Sequence, residues 1–212
     1  MGIPVLVYGR SGSGKSTSLR NFNKDEILLI NVEKKPLPFK GKFENTIQTD
    51  DYKEIANAIK STDKKTIVID DAGYLLTNHF MNKHSSCGGG NGVYSLYNDI
   101  GDYFWRLIEF VKKQKDNTII YFIMHEDQDE FGRIKLKTIG KLLDDKVCIE
   151  GMCTIALRCF SENGKHYFKT KTDGLDITKT PLEMFETDTI ENDLKLVDTK
   201  IREYYELNEE EK

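Results

Sequence analysis

The chain has 212 residues, which fits one globular domain with at most a small appendage. Hydrophobic residues make up 38% and charged residues 31%, the balance of a soluble fold with a real core, and no apolar run approaches the ~18 residues of a membrane span. The net charge of -4 excludes an overall basic field, although a local basic groove is enough for nucleic acid.

The first apolar run, residues 3–9 (IPVLVYG), predicts a buried strand with no basic start or signal-peptide core before it. It leads into Gly9-Arg10-Ser11-Gly12-Ser13-Gly14-Lys15-Ser16, which matches G-x-x-x-x-G-K-[ST]. Glycines let such a loop wrap with its N–H groups inward. Those donors, with a helix predicted over 15–22, bind phosphates. Lys15 is expected to reach the β- and γ-phosphates of ATP, and Ser16 to offer its hydroxyl to Mg2+. Thr17 completes the nucleotide-binding set that begins at Gly9.

A second strand is predicted over 26–32 (EILLINV), with Glu33 at its carboxyl edge, where open α/β sheets bind ligands. A carboxylate there suits a general base; the plain alternative is a solvated charge in Glu33-Lys34-Lys35. Residues 51–60 place Tyr52, Ile55, Ala56 and Ile59 on one helical face. Residues 66–70 (TIVID) end in Asp70, the carboxylate expected near Mg2+; Asp71 either orients water or caps the strand.

Residues 77–98 hold Gly88 to Gly92 with Tyr94 and Tyr97, a loop suited to stacking on bases. A helix follows over 97–114, then a strand over 118–124 ending at His125, a polar sensor beside the γ-phosphate. Residues 129–147 carry Arg133, Lys135, Lys137 and Lys141, diluted by nearby acids. Strands are predicted over 152–159 and 165–172, the latter holding Lys169 and Lys171. Asp188 and Glu191 read as a capping box opening a last helix, with Ile190, Leu194, Val197, Ile201 and Tyr204 along one face. The four cysteines form no C-x-x-C pair, so neither a zinc site nor a disulfide framework is expected. The alternation predicts an α/β doubly wound, mostly parallel sheet flanked by helices. Residues 1–187 form its core, and 188–212 a C-terminal helix on the core or on a neighbouring subunit.

The order of the cradle, Glu33, Asp70 and His125 resembles the RecA-like branch of P-loop ATPases; His125 departs from the glutamine of RecA. Lys169-Thr170-Lys171 is similar to the RecA finger that reaches a neighbour's γ-phosphate, which implies a homo-oligomer with catalytic residues Lys15, Glu33, Asp70, His125, Lys169 and Lys171. Over about residues 1–205 the chain looks more specifically like small phage ATPases, the single-strand annealing proteins of the Sak-four group. That resemblance implies a slow, DNA-stimulated ATPase with ATP and Mg2+, in the host cytoplasm and off the membrane. It also implies that the protein anneals single-stranded DNA in phage recombination, alongside a phage single-strand-binding or replication protein. Residues 77–98 and 129–147 lie where RecA-like proteins carry DNA-binding loops.

Three other readings compete. A small-molecule kinase would carry an arginine-rich lid, whereas Arg10, Arg20, Arg106, Arg133, Arg158 and Arg202 are dispersed. A AAA+ motor would need a helical lid where residues 160–187 read as strand and turn. A nucleotide-gated interaction module needs only the cradle.

Overall fold

The computed structural model describes residues 1–139 and 147–207. Six strands run parallel: β1 (Ile3–Gly9), β2 (Ile27–Asn31), β3 (Asn45–Ile47), β4 (Thr66–Asp70), β5 (Ile119–Gln128) and β7 (Ile155–Glu162). Three antiparallel strands, β6 (Ile134–Leu136), β8 (Lys165–Lys169) and β9 (Thr189–Glu191), pair at the margins. The sheet order is β3-β2-β4-β5-β1-β7-β8-β9, with β6 on β5. Thus β5 lies between the strand that enters the glycine loop and the strand that ends in Asp70.

Side chains alternate across this sheet, so every central strand feeds two cores. Leu6, Tyr8, Ile67, Ile69, Ile120, Phe122 and Met124 pack on one face, and Val5, Val7, Val68, Ile119, Tyr121 and Ile123 on the other. The first face is covered by α1 (Tyr52–Ser61), α2 (Tyr74–Lys83) and α3 (Asn91–Lys112). Helix α1 starts at Asp51, whose carboxylate accepts from the N–H groups of Lys53 and Glu54. The second face is covered by α4 (Leu194–Tyr204), whose Leu194, Val197 and Ile201 are fully buried beside Leu19 and Phe22. No described helix is long and apolar enough to cross a membrane.

Four sequence expectations change. The helix after the glycine loop is a short 3-10 turn, Ser16–Asn21. Its run Ser16-Thr17-Ser18 offers hydroxyls that compete with the helical ladder, and Ser18 Oγ donates to the Lys15 carbonyl at 2.6 Å. Residues 77–98 are mostly helical, because α2 and α3 consume both ends; Tyr97 stacks on Phe80 with ring centroids 5.4 Å apart. The last helix opens six residues later than Asp188: Glu191 ends β9, and Asp193 is the cap, accepting from the N–H groups of Lys195 and Leu196. Strand β8 ends at Lys169, so Lys171 lies beyond it. The basic stretch 129–147 begins as a hairpin between β5 and β6, and its Lys141 falls outside the described residues.

Candidate functional site

The carboxyl ends of β1, β4 and β5 converge on one cleft of about 780 Å³. Gly9 is in register with His125, and Asn31 with Asp70. Arg10, Ser11, Gly12, Gly14, Lys15, Ser16 and Thr17 form one wall, and Asp70, Asp71 and His125 the floor. Ser13 turns away from this wall, and its hydroxyl is buried with no hydrogen-bond partner among the described residues.

The backbone dictates the glycines. A Cβ on Gly9 would lie 2.3 Å from the Cys159 carbonyl oxygen. Gly14 has φ 99°, and a Cβ there would lie 2.6 Å from Cγ of His166 on β8. Gly12 has φ 77° and open space around it. Gly14→Ala is therefore expected to weaken nucleotide binding at least about tenfold, because it adds a clash to the ~1–2 kcal/mol backbone penalty that is all Gly12→Ala should meet. Titration of both variants with a fluorescent nucleotide checks the order; equal losses would discount the His166 contact.

Lys15 is buried, and its ammonium donates to the carbonyls of Gly9 at 2.9 Å and Arg10 at 2.8 Å. Burial lowers its pKa, and the nearby carboxylates Asp71 and Asp70 oppose that shift. Ser16 Oγ donates to Asp70 Oδ1 at 2.9 Å. Burial, then the neighbouring charge of Asp71, push the Asp70 carboxyl up to about 6. Asp71 sits at φ 59°, a left-handed turn that swings its side chain back into the cleft. Burial alone would raise the Asp71 carboxyl, but His125 and Lys35 overcome it and hold the group below its ordinary value. Oδ1 of Asp71 is 3.4 Å from His125 Nε2, and Oδ2 is 2.5 Å from Lys35 Nζ. His125 Nδ1 lies 3.4 Å from Lys15 Nζ, so the ring bridges the glycine loop and Asp71. Because β5 continues to Gln128, His125 is inside a strand rather than at its end.

The structure places the other expected residues elsewhere. Glu33 does not line the cleft; its carboxylate accepts from Asn78 Nδ2 at 3.3 Å, and Asn78 also donates to Asp50 at 3.0 Å. Lys169 is bound to Asp176 at 2.7 Å and Asp173 at 2.8 Å, with 17% of its side chain exposed. Lys171 pairs with Asp188 at 3.1 Å and is half exposed. Residues the sequence reading passed over line the cleft instead: Asn31, Lys35, Tyr74 and Glu126. Glu126 is buried and takes a two-pronged bond from Arg158, at 2.7 and 2.9 Å, with Arg10 at 3.4 Å. Its place in Met124-His125-Glu126, one residue past a buried apolar run, carried that signal, since a buried acid there demands a cation.

The back of the loop is tied to the segment before α4. Cys159 Sγ donates to the Ser13 carbonyl at 3.0 Å and accepts from Asn192 Nδ2 at 3.1 Å. Arg20 donates to the Asn192 carbonyl and Asn21 to Asp193, both at 2.5 Å.

Over residues 1–182 the chain matches the AAA domain family AAA_24. No curated protein matches it. Among solved structures it is similar to a KaiC-like protein from the hyperthermophilic archaeon Pyrococcus horikoshii OT3, with a TM-score of 0.50 and 16% identity, over 79% of this chain and 77% of that one. At that identity the likeness speaks to the fold alone, the RecA-like α/β arrangement. Among the described residues, 160–187 hold strands and turns rather than a helical lid. A glycine loop wrapped for phosphates, an acidic strand end against its serine and a match over most of the length converge: the chain belongs to the AAA domain family and is a P-loop ATPase domain.

Proposed function

We propose that the protein is a Mg2+-dependent ATPase that works on single-stranded DNA as a self-associating, phage-type annealing protein. The observation that carries the ATPase part is the meeting of Lys15, His125 and Asp71 beside the Ser16–Asp70 pair in one cleft. Mg2+ fits there, because Asp70 and Asp71 are two acids buried side by side with the Ser16 hydroxyl against Asp70, an oxygen donor set whose mutual repulsion a cation would offset. Ser16 and Asp70 would hold it, and when bound it neutralises phosphate oxygens. Gly9 to Thr17 bind the phosphates, and Lys15 turns from the loop carbonyls to them. Asp71, rather than Glu33, is the base that orients water, since it faces the cleft and Glu33 does not.

The DNA part rests on the resemblance to phage annealing proteins and on one mechanical link. The strand that holds His125 runs on into the β5–β6 hairpin, whose Phe131 is 76% exposed and is followed by Arg133. A change at the phosphate end of β5 is thereby passed to a stacking group. Lys171, the less committed of the two late lysines, is the one proposed to reach a neighbouring subunit.

The test is ATP hydrolysis with and without single-stranded DNA, together with the mass of the assembly. Lys15→Ala should abolish nucleotide binding, and Phe131→Ala should remove most DNA stimulation while leaving basal hydrolysis. A strict monomer without stimulation would sink the DNA reading, and phosphate transfer to a small acceptor would replace it with a kinase.

A further inference from the structure

We propose that Lys35 is a γ-phosphate ligand supplied from within the chain, which trades Asp71 for the terminal phosphate when a triphosphate enters. The proposal rests on the reading of the cleft as an ATP site.

Lys35 stands on the loop after β2, outside the glycine motif. Its ammonium is 2.5 Å from Asp71 Oδ2 and 5.5 Å from the centroid of the Tyr74 ring. The backbone beneath it is held. Asn31 Nδ2, at the strand end in register with Asp70, donates to the Lys35 carbonyl at 2.7 Å. Lys34 adopts φ 57°, a conformation that a lysine rarely takes and that surrounding structure must impose. Pro36 then restricts the chain on the other side. The stem is therefore fixed, while the side chain is 55% exposed and has its tip on Asp71.

Electrostatics give the exchange a direction. Lys35, Asp71, His125 and Lys15 form one chain of contacts across the cleft. A terminal phosphate arriving there meets Asp70 and Asp71, two carboxylates already buried together. Like charges at such range repel strongly unless a cation lies between them. Arg10 and Arg158 are engaged with Glu126, and Lys169 with Asp173 and Asp176; Lys15 serves the phosphates from the loop side, and Lys137 lines the cleft without touching Asp71, so Lys35 is the lysine already seated on the acid pair. Lys35 already lies within the cleft, so a small rotation suffices. An ADP molecule has no γ-phosphate to draw it, and the Asp71 pair persists.

The experiment compares the affinities of the protein for a non-hydrolysable ATP analogue and for ADP. Lys35→Met should weaken the analogue about tenfold or more and leave ADP within about twofold, the loss of one charged hydrogen bond. Lys35→Arg should restore most of the difference, and Lys34→Met should change neither affinity. Equal losses for both nucleotides, or none, would overturn the proposal. If Lys35→Met melts far below the parent, Lys35→Gln takes its place in the same comparison. A parent protein that binds neither nucleotide would instead remove the ATP-site reading itself.

Discussion

Asp70→Asn should yield a protein that is more stable and nearly inactive. Burial and the charge of Asp71 raise the Asp70 carboxyl from 3.8 to about 6. A folded pKa above the unfolded one means that the contribution of Asp70 to stability is complete below pH 3.8 and is lost as pH rises through about 6. At neutral pH the ionised form thus opposes folding, by up to about 3 kcal/mol. Asparagine keeps an oxygen to accept from Ser16 and from the Asp71 N–H, and removes the charge. Without metal, urea unfolding at pH 7.5 should show a gain of ~1–3 kcal/mol, shrinking toward zero near pH 4. Mg2+-dependent hydrolysis should fall by ~100-fold or more, since the residue proposed to hold the metal is gone. A variant that loses stability at neutral pH would contradict the repulsion read from the paired acids. Such a trade between stability and activity is what a strained, charge-rich site predicts.

The second large effect lies far from the cleft. Arg202→Leu is expected to cost about 3–5 kcal/mol, because it strips the partner from a buried acid. Asp198 is almost fully buried and accepts from Thr66 Oγ1 and Tyr121 OH at 3.0 Å each, and from Arg202 Nε at 2.7 Å. The same guanidinium donates to the Lys65 carbonyl at 3.0 Å and to the Asn117 carbonyl at 3.1 Å. One side chain on α4 thus fastens the entry ends of β4 and β5. Burial raises the Asp198 carboxyl despite Arg202, so its contribution is lost as pH rises. Removing Arg202 steepens that loss, and the deficit of the variant should narrow on acidification. The double variant Arg202→Leu with Asp198→Leu should recover a good part of the loss, since no uncompensated charge remains. Urea midpoints at two pH values decide this; a double variant as weak as the single would point to lost packing instead.

The sheet was legible because parallel strands buried on both faces leave continuous β-branched runs, as in Thr66-Ile67-Val68-Ile69-Asp70. The short strands β3, β6 and β9 were not, since three residues with partly polar side chains carry no periodicity. Lys15, Ser16, Asp70 and His125 could be named in advance because each follows directly from a motif or from the end of an apolar run. Lys35 could not. Its place in the cleft depends on a left-handed turn at Lys34 and on an asparagine four residues back, neither of which a charge pattern reveals. Glu33 misled for the same reason, because that turn carries the chain past it and delivers Lys35 instead. The two late lysines looked free, but Asp173 and Asp176 lie close by in sequence and claim Lys169 locally.

The tie between Asn192 and the back of the glycine loop bears on how the protein is made. A ribosome delivers Ser13 and Cys159 long before Asn192 and Asp193, so a growing chain has its nucleotide loop without the bracket behind it. ATP should gain grip only after Asn192 and Asp193 have joined the fold, and Asn192→Ala should be scored in the laboratory as a nucleotide-binding mutation although Asn192 does not line the cleft.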